Sequence, residues 1–224
     1  MDENVSVTFP LTFFEYRAAF EEPILELWFS PAKDIQKAVY KALLPWNITF
    51  ENVILPVQPK NIAEWQITFN LPLLRTSVVI GVGGLTVAVT NPDWSQAVTL
   101  SALADAVSGA IKQVATARIS GHSRVLAMHM TPIGTDPSAI TSRFVHVNQS
   151  SVSRLGDLDN FGFSIYGRDA IWTIDVSVGF AKSLFVRLAR TYKGDANFSD
   201  LVSDTAMDQK AALSLLGCVE HVNT

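Results

Sequence analysis

The sequence predicts an α+β protein: antiparallel sheet with hairpins, packed by about four helices. Three observations predict it. Residues 64–74 alternate strictly, with Trp65, Ile67, Phe69, Leu71 and Leu73 on one side and Glu64, Gln66, Thr68, Asn70 and Pro72 on the other. A strand with one apolar face belongs to a sheet covered on one side, which antiparallel sheets allow. Glycine-marked turns join neighbouring strand patterns, at Gly83-Gly84 and at Gly167-Arg168-Asp169. The helical patterns stand between groups of strands instead of alternating with them one for one.

Taken in order, residues 5–16 alternate loosely and read as the first strand, and residues 24–29 after Pro23 as a short apolar second. Ser30 is suited to an N-cap and Pro31 to the first helical position, where its missing N–H costs nothing. Ile35, Ala38, Val39, Ala42 and Leu43 then recur at helical spacing, Lys33, Lys37 and Lys41 share the opposite face, and Pro45 stops the helix. The strand over 64–74 is expected to fray or to lie on an edge at Pro72. Residues 76–82 and 85–90 form the Gly83-Gly84 hairpin. A long helix follows over 95–118, with an apolar seam of Leu100, Leu103, Val107, Ile111 and Val114 beside the small residues Ala102, Ala106, Gly109 and Ala110.

Residues 122–133 read as a strand, ended by the loop of Pro132, Gly134 and Pro137. Strands are expected at 140–147 and, as a hairpin, at 161–166 and 171–178. Helices are expected at 180–192, with Leu184, Phe185 and Leu188 inward, and at 198–216, stopped by Gly217. Two β-rich halves result, 1–134 and 135–224, packed as one body; no short sequence word repeats between them.

The bulk composition bounds the function. Of 224 residues, 48% are hydrophobic and only 17% charged, below the usual quarter. Mean hydropathy is +0.24. Part of the surface must therefore be apolar or neutral, which favours pairing with another chain. The net charge of −4 and scattered basic residues argue against nucleic acid. The longest charge-free stretch, 17 residues between Arg75 and Asp93, is broken by Gly81, Gly83 and Gly84 and reads as a buried hairpin, so no membrane span is expected. Cys218 stands alone, and Asp2 and Glu3 give the N-terminus the wrong sign for a secretory leader; a cytoplasmic location is expected.

No chemical constellation emerges. Gly81-x-Gly83-Gly84 lacks the spacing and the Lys-Ser/Thr of a phosphate loop. His122 and His129, seven apart on one strand, point to opposite faces, so neither they nor His146 and His221 suggest a metal site. Cys218 and His221 are poorly spaced for a thiolate dyad, and no nucleophile elbow occurs. The Asp157-Asp159 and Asp200-Asp204 pairs have local explanations as turn and helix-start residues. No catalytic residue, metal or cofactor is assigned. The candidate binding residues are the loop tryptophans Trp46 and Trp94 and the small helix face of Ala102, Ala106 and Gly109.

Three stretches together resemble a scattered family of uncharacterised prokaryotic proteins of about this length: Pro23-Ile24-Leu25-Glu26 with Leu27-Trp28-Phe29, Arg124-Val125-Leu126-Ala127-Met128-His129, and the run from Ile174-Asp175 to Phe198 and Asp204. His129 departs from that family's usual aromatic. The resemblance implies an intact α+β fold of this size and assigns nothing catalytic. A strand cluster followed by a long helix is also similar in architecture to the SecB-type export-chaperone fold, which does not fix function.

The expectation is therefore a non-catalytic binding or interaction protein, a homo-oligomer that recognises a protein partner or hydrophobic segment through an apolar sheet or helix face. The alternatives are an enzyme assembled from dispersed residues such as His129, His146 and Asp175, or a small-molecule-binding module.

Overall fold

Side chains that alternate between buried and half-buried set the strands. In β1 (Val5–Phe20) Phe14, Tyr16 and Ala18 are buried and the residues between them are not; β6 (Ile119–Pro132) repeats the pattern through His122, Arg124, Leu126, Met128 and Met130. The structure is a computed structural model, and it describes residues 4–27, 32–55, 60–93, 97–115, 117–144, 162–177, 183–193 and 198–221. The other strands are β2 (Val53–Ile54), β3 (Gln66–Leu71), β4 (Thr76–Gly81), β5 (Gly84–Thr90), β7 (Gly162–Tyr166), β8 (Ala170–Ser177), β9 (Ser183–Lys193) and β10 (Cys218–Glu220). Four helices lie among the described residues: α1 (Ala32–Leu43), α2 (Ala97–Val114), α3 (Pro137–Thr141) and α4 (Phe198–Leu216). The strands form a sheet in the order β2-β3-β4-β5-β1-β6-β9-β8-β7, and β10 joins β1 in parallel. The fold is α+β on an antiparallel sheet, as the alternation and hairpins predict.

The chain divides into two compact units, each assembled from separated stretches. One comprises Phe14–Arg124 and Thr191–Asp204. Its core joins Ile67 and Phe69 of β3, Val78 and Ile80 of β4, and Leu85, Val87 and Val89 of β5 to Ile35, Val39 and Leu43 of α1 and to Leu100, Leu103, Val107 and Ile111 of α2. Each such side chain, fully buried, contributes about 1.5–3 kcal/mol. Gly81 pairs with Gly84, so the tight turn is Val82-Gly83, one residue earlier than the glycine pair suggests. The cause is packing. A Cβ on Gly84 would lie 2.4 Å from the backbone oxygen of Ala18, so this position sits in a strand pressed against β1.

The other unit comprises Met1–Phe13, Val125–Arg190 and Thr205–Thr224. Here β7, β8 and β9 pair in sequence, Ile174 opposing Phe163 and Val186. Arg190 of β9 holds Asp208 of α4 through two hydrogen bonds of 2.8 and 2.6 Å. Gly217 ends α4 at φ +63°, a conformation that favours glycine, and the chain then turns back along β1 with Val5 opposite Cys218.

Four expectations are corrected. Residues 25–27 form a 3-10 turn, not a strand, because Ile24 and Leu27 are buried three apart while Leu25 is exposed. The strand at 64–74 shrinks to β3; Pro72 opens a 3-10 turn that carries Leu73 out to 78% exposure. At 140–147, the described part up to residue 144 contains no strand and begins within α3, started by Asp136, whose carboxylate accepts from the Ser138 N–H at 2.8 Å, with Pro137 in the first position. The expected helix at 180–192 is β9: Leu184, Val186 and Leu188 are buried at period two, which fits the same leucines once Val186 is counted with them. Its place between β6 and β8 decides the outcome. The helix at 198–216 is observed with those bounds.

Candidate functional site

Five residues were singled out as contacts from the sequence. Trp94 lies outside the described residues. Trp46 follows α1 in a 3-10 turn and is half-buried against the core, so it closes the end of the core more than it projects. Ala102 is exposed on α2. Ala106 and Gly109 are half-buried, and with Ala110, Gln113 and Val114 they form one wall of a groove of about 840 Å³. The other wall is α1, through Asp34, Lys37, Ala38, Lys41 and Ala42. Ala106, Gly109 and Ala110 of α2 thus line the groove shared with α1, which Ala102 does not, with small alanines on both sides of the floor and Lys37 and Lys41 among the walls. Helix period explains both walls: residues three and four apart share a face. Nothing lies within 4 Å of a Cβ built on Gly109.

A second concavity, about 510 Å³, lies over the sheet of the same unit. Its origin is a gap in the side-chain rows. Gln66, Gly81 and Gly84 stand in one cross-strand row, so two of three positions carry no side chain. The next row, Thr68, Val79 and Thr86, is fully furnished. Arg17, Gln66, Thr86, Ser123 and Thr191 line the hollow, with Gly81 and Gly121 as bare backbone. Arg17 is 2.6 Å from Glu15 through its Nε.

His122 and Tyr192 alternate with Ser123 and Thr191 and point to the opposite, core-facing side of the sheet, where they belong to a polar cluster on three adjacent strands. Tyr16 of β1 hydrogen-bonds His122 of β6 at Nδ1, with the rings stacked at 5.7 Å. Arg124, two residues along β6 and 1% exposed, donates from Nε to the Tyr192 hydroxyl at 2.6 Å. Burial, and secondarily the charge of Asp105, raise the Tyr16 phenol well above its ordinary range. The sequence carried a signal for Arg124: it shares the phase of Leu126, Met128 and Met130, a lone cation on an apolar strand face.

Of the residues named for an enzyme site, His129 stands on β6 and Asp175 on β8, with β9 between them. The His129 ring tilts against Phe185 at 5.2 Å, and Phe185 is the cross-strand partner of Asp175 on the far side. Two strand spacings separate the backbones, about 10 Å. His146 lies outside the described residues. Among the described residues no group of three His, Cys, Asp or Glu side chains could hold a metal ion, and no helix is long and apolar enough to cross a membrane. Cys218 is buried in β10, and burial raises its thiol pKa, against the opposing effect of Arg143.

No family model matches the chain, and no curated protein does. Among solved structures it is similar, at 13% identity and a TM-score of 0.15, to one described as a nonspecific heme-binding cyclase that catalyses a cycloaddition in neoabyssomicin biosynthesis; the match covers 100% of this chain and 85% of that one. A likeness of that degree carries no argument about function.

Proposed function

We propose that the chain is a non-catalytic interaction protein that works as a homo-oligomer, with the α1–α2 groove as its contact surface. The observation that carries this is the groove's self-complementarity. A twofold interface presents the same patch from both sides. Asp34 and Lys41 are seven residues apart on one face of α1, and both line the groove. Two α1 helices running antiparallel about a point between them place each Asp34 opposite the partner's position 41, where the charge is opposite. Ala38, Ala42, Ala106 and Gly109 let the backbones approach. The low charge content supports the same reading.

Small floor residues bury little apolar area, so association on the order of micromolar is expected. Light scattering on the chain from about 5 to 500 µM tests it. The expected result is a mass rising toward twice that of the monomer, reduced by Lys41→Glu and restored in part by Asp34→Lys in the same chain. A monomer at every concentration overturns the proposal; a dimer indifferent to both charges places the contact elsewhere and removes the groove from it.

A further inference from the structure

We infer that β7 is a self-pairing edge, to which a second copy of the chain adds its own β7 in antiparallel register. β7 ends the sheet order: β8 lies on one side, and among the described residues no strand lies on the other. A sheet edge offers main-chain N–H and C=O groups to any extended segment, and chains that stay single guard it with charge, proline or a bulge. Gly162-Phe163-Ser164-Ile165-Tyr166 has none of the three, and its register with β8 runs unbroken. Ile165 and Tyr166 are 42% and 76% exposed. Phe163 is half-buried and stacks on Phe144 at 5.2 Å.

The phase of the β7–β8 hairpin shows which groups face outward. The Gly167 N–H donates to the Ala170 carbonyl at 2.7 Å. Hydrogen-bonded pairs alternate along an antiparallel ladder, so Phe163 and Ile165 bond to β8 while Gly162, Ser164 and Tyr166 turn their N–H and C=O groups away. A twofold axis at Ser164 joins these groups through about six main-chain bonds: each Ser164 with its counterpart, and each Gly162 with Tyr166 of the second copy. The side chains agree with that register. Phe163 meets Ile165 of the second copy, an aromatic–β-branched pair made twice, and Tyr166 covers the bare Gly162. The charged turn residues Arg168 and Asp169 fall beyond the paired stretch. All five positions match their own sequence reversed, which is why the occupant is a second copy and not an unrelated strand. β7 belongs to the unit that does not hold the α1–α2 groove, so the two contacts can be removed one at a time.

A strand of five residues makes a small contact, on the order of millimolar or weaker, so a disulfide serves to trap it. In this register the two Ser164 Cα atoms stand about 5.5 Å apart, within disulfide reach. Full-length Ser164→Cys is oxidised with glutathione disulfide at about 200 µM and followed on denaturing gels, with Arg168→Cys in the exposed turn as the control for random encounter. Both chains also carry Lys41→Glu, which disables the groove, so the two readings fail separately. Cys218 is buried, and the Lys41→Glu chain without a new cysteine gives the background. Ser164→Cys is expected to form dimer at least about tenfold faster than Arg168→Cys. Adding Ile165→Lys, or Tyr166→Pro, which removes an outward N–H and no bond to β8, is expected to bring it down to the Arg168→Cys rate. Equal rates for Ser164→Cys and Arg168→Cys overturn the inference and leave the edge to a strand of another protein. An advantage that survives both edge substitutions overturns it as well.

Discussion

Gly109→Ala places a methyl group at position 109 of α2, an 18-residue helix, where the added Cβ meets nothing within 4 Å. The replacement removes the backbone entropy that glycine loses on entering a helix, a gain of about 1 kcal/mol. It adds no steric cost within this chain. For a chain of this size the gain corresponds to a melting temperature about 2–4 °C higher. Urea denaturation at low protein concentration is the assay, because it reads the monomer. Gly109→Trp is expected to leave the dilute chain within about 0.5 kcal/mol of wild type and to lower association at high concentration, since the indole occupies the groove a second copy needs. A Gly109→Ala variant less stable than wild type in dilute solution would falsify the reasoning, because the glycine would then be required by a contact inside the chain.

Gly84→Ala is expected to cost about 1–3 kcal/mol in urea denaturation, because its Cβ meets the Ala18 carbonyl at 2.4 Å, whereas Gly83→Ala is expected to be nearly neutral; equal effects at both sites count against the β5–β1 packing. Tyr16→Phe tests the raised phenol. A group whose folded pKa lies above its unfolded value of about 10 contributes stability that is present below pH 10 and is lost as pH rises beyond it, at up to about 1.4 kcal/mol per pH unit. The wild type is therefore expected to lose stability more steeply than Tyr16→Phe between about pH 10 and 11.5, and parallel curves refute the assignment. Asp208→Asn leaves Arg190 without its two-point partner; with Asp208 7% and Arg190 33% exposed, the cost is expected at about 2–3 kcal/mol, below that of a fully buried pair, and a change under 0.5 kcal/mol shows the pair to be screened.

Of the candidate contacts, the small face of α2 was legible because helix period fixes which residues stand together, whatever covers them. That it faces α1 was not, since the same face would serve equally against a sheet. Tyr16, His122, Arg124 and Tyr192 were scattered over 176 positions of sequence, and no spacing rule joins residues on strands paired by topology.

Sequence alone determined the class of fold and much of the local structure. Strict alternation in Ile67, Phe69 and Leu71, the glycines near the β4–β5 turn and the helical run before Gly217 are local signals, written in residues close along the chain. Tertiary structure decided the rest. Leu184, Phe185 and Leu188 fit a helix and a strand about equally well, and the open edges of β6 and β8 made the segment β9. The turn at Val82-Gly83, the embedded Gly84 and the hollow over the Gln66, Gly81 and Gly84 row all follow from which strands lie side by side. Backbone pairing between distant segments is set by the burial of the whole core, and a local window of sequence contains no term for it.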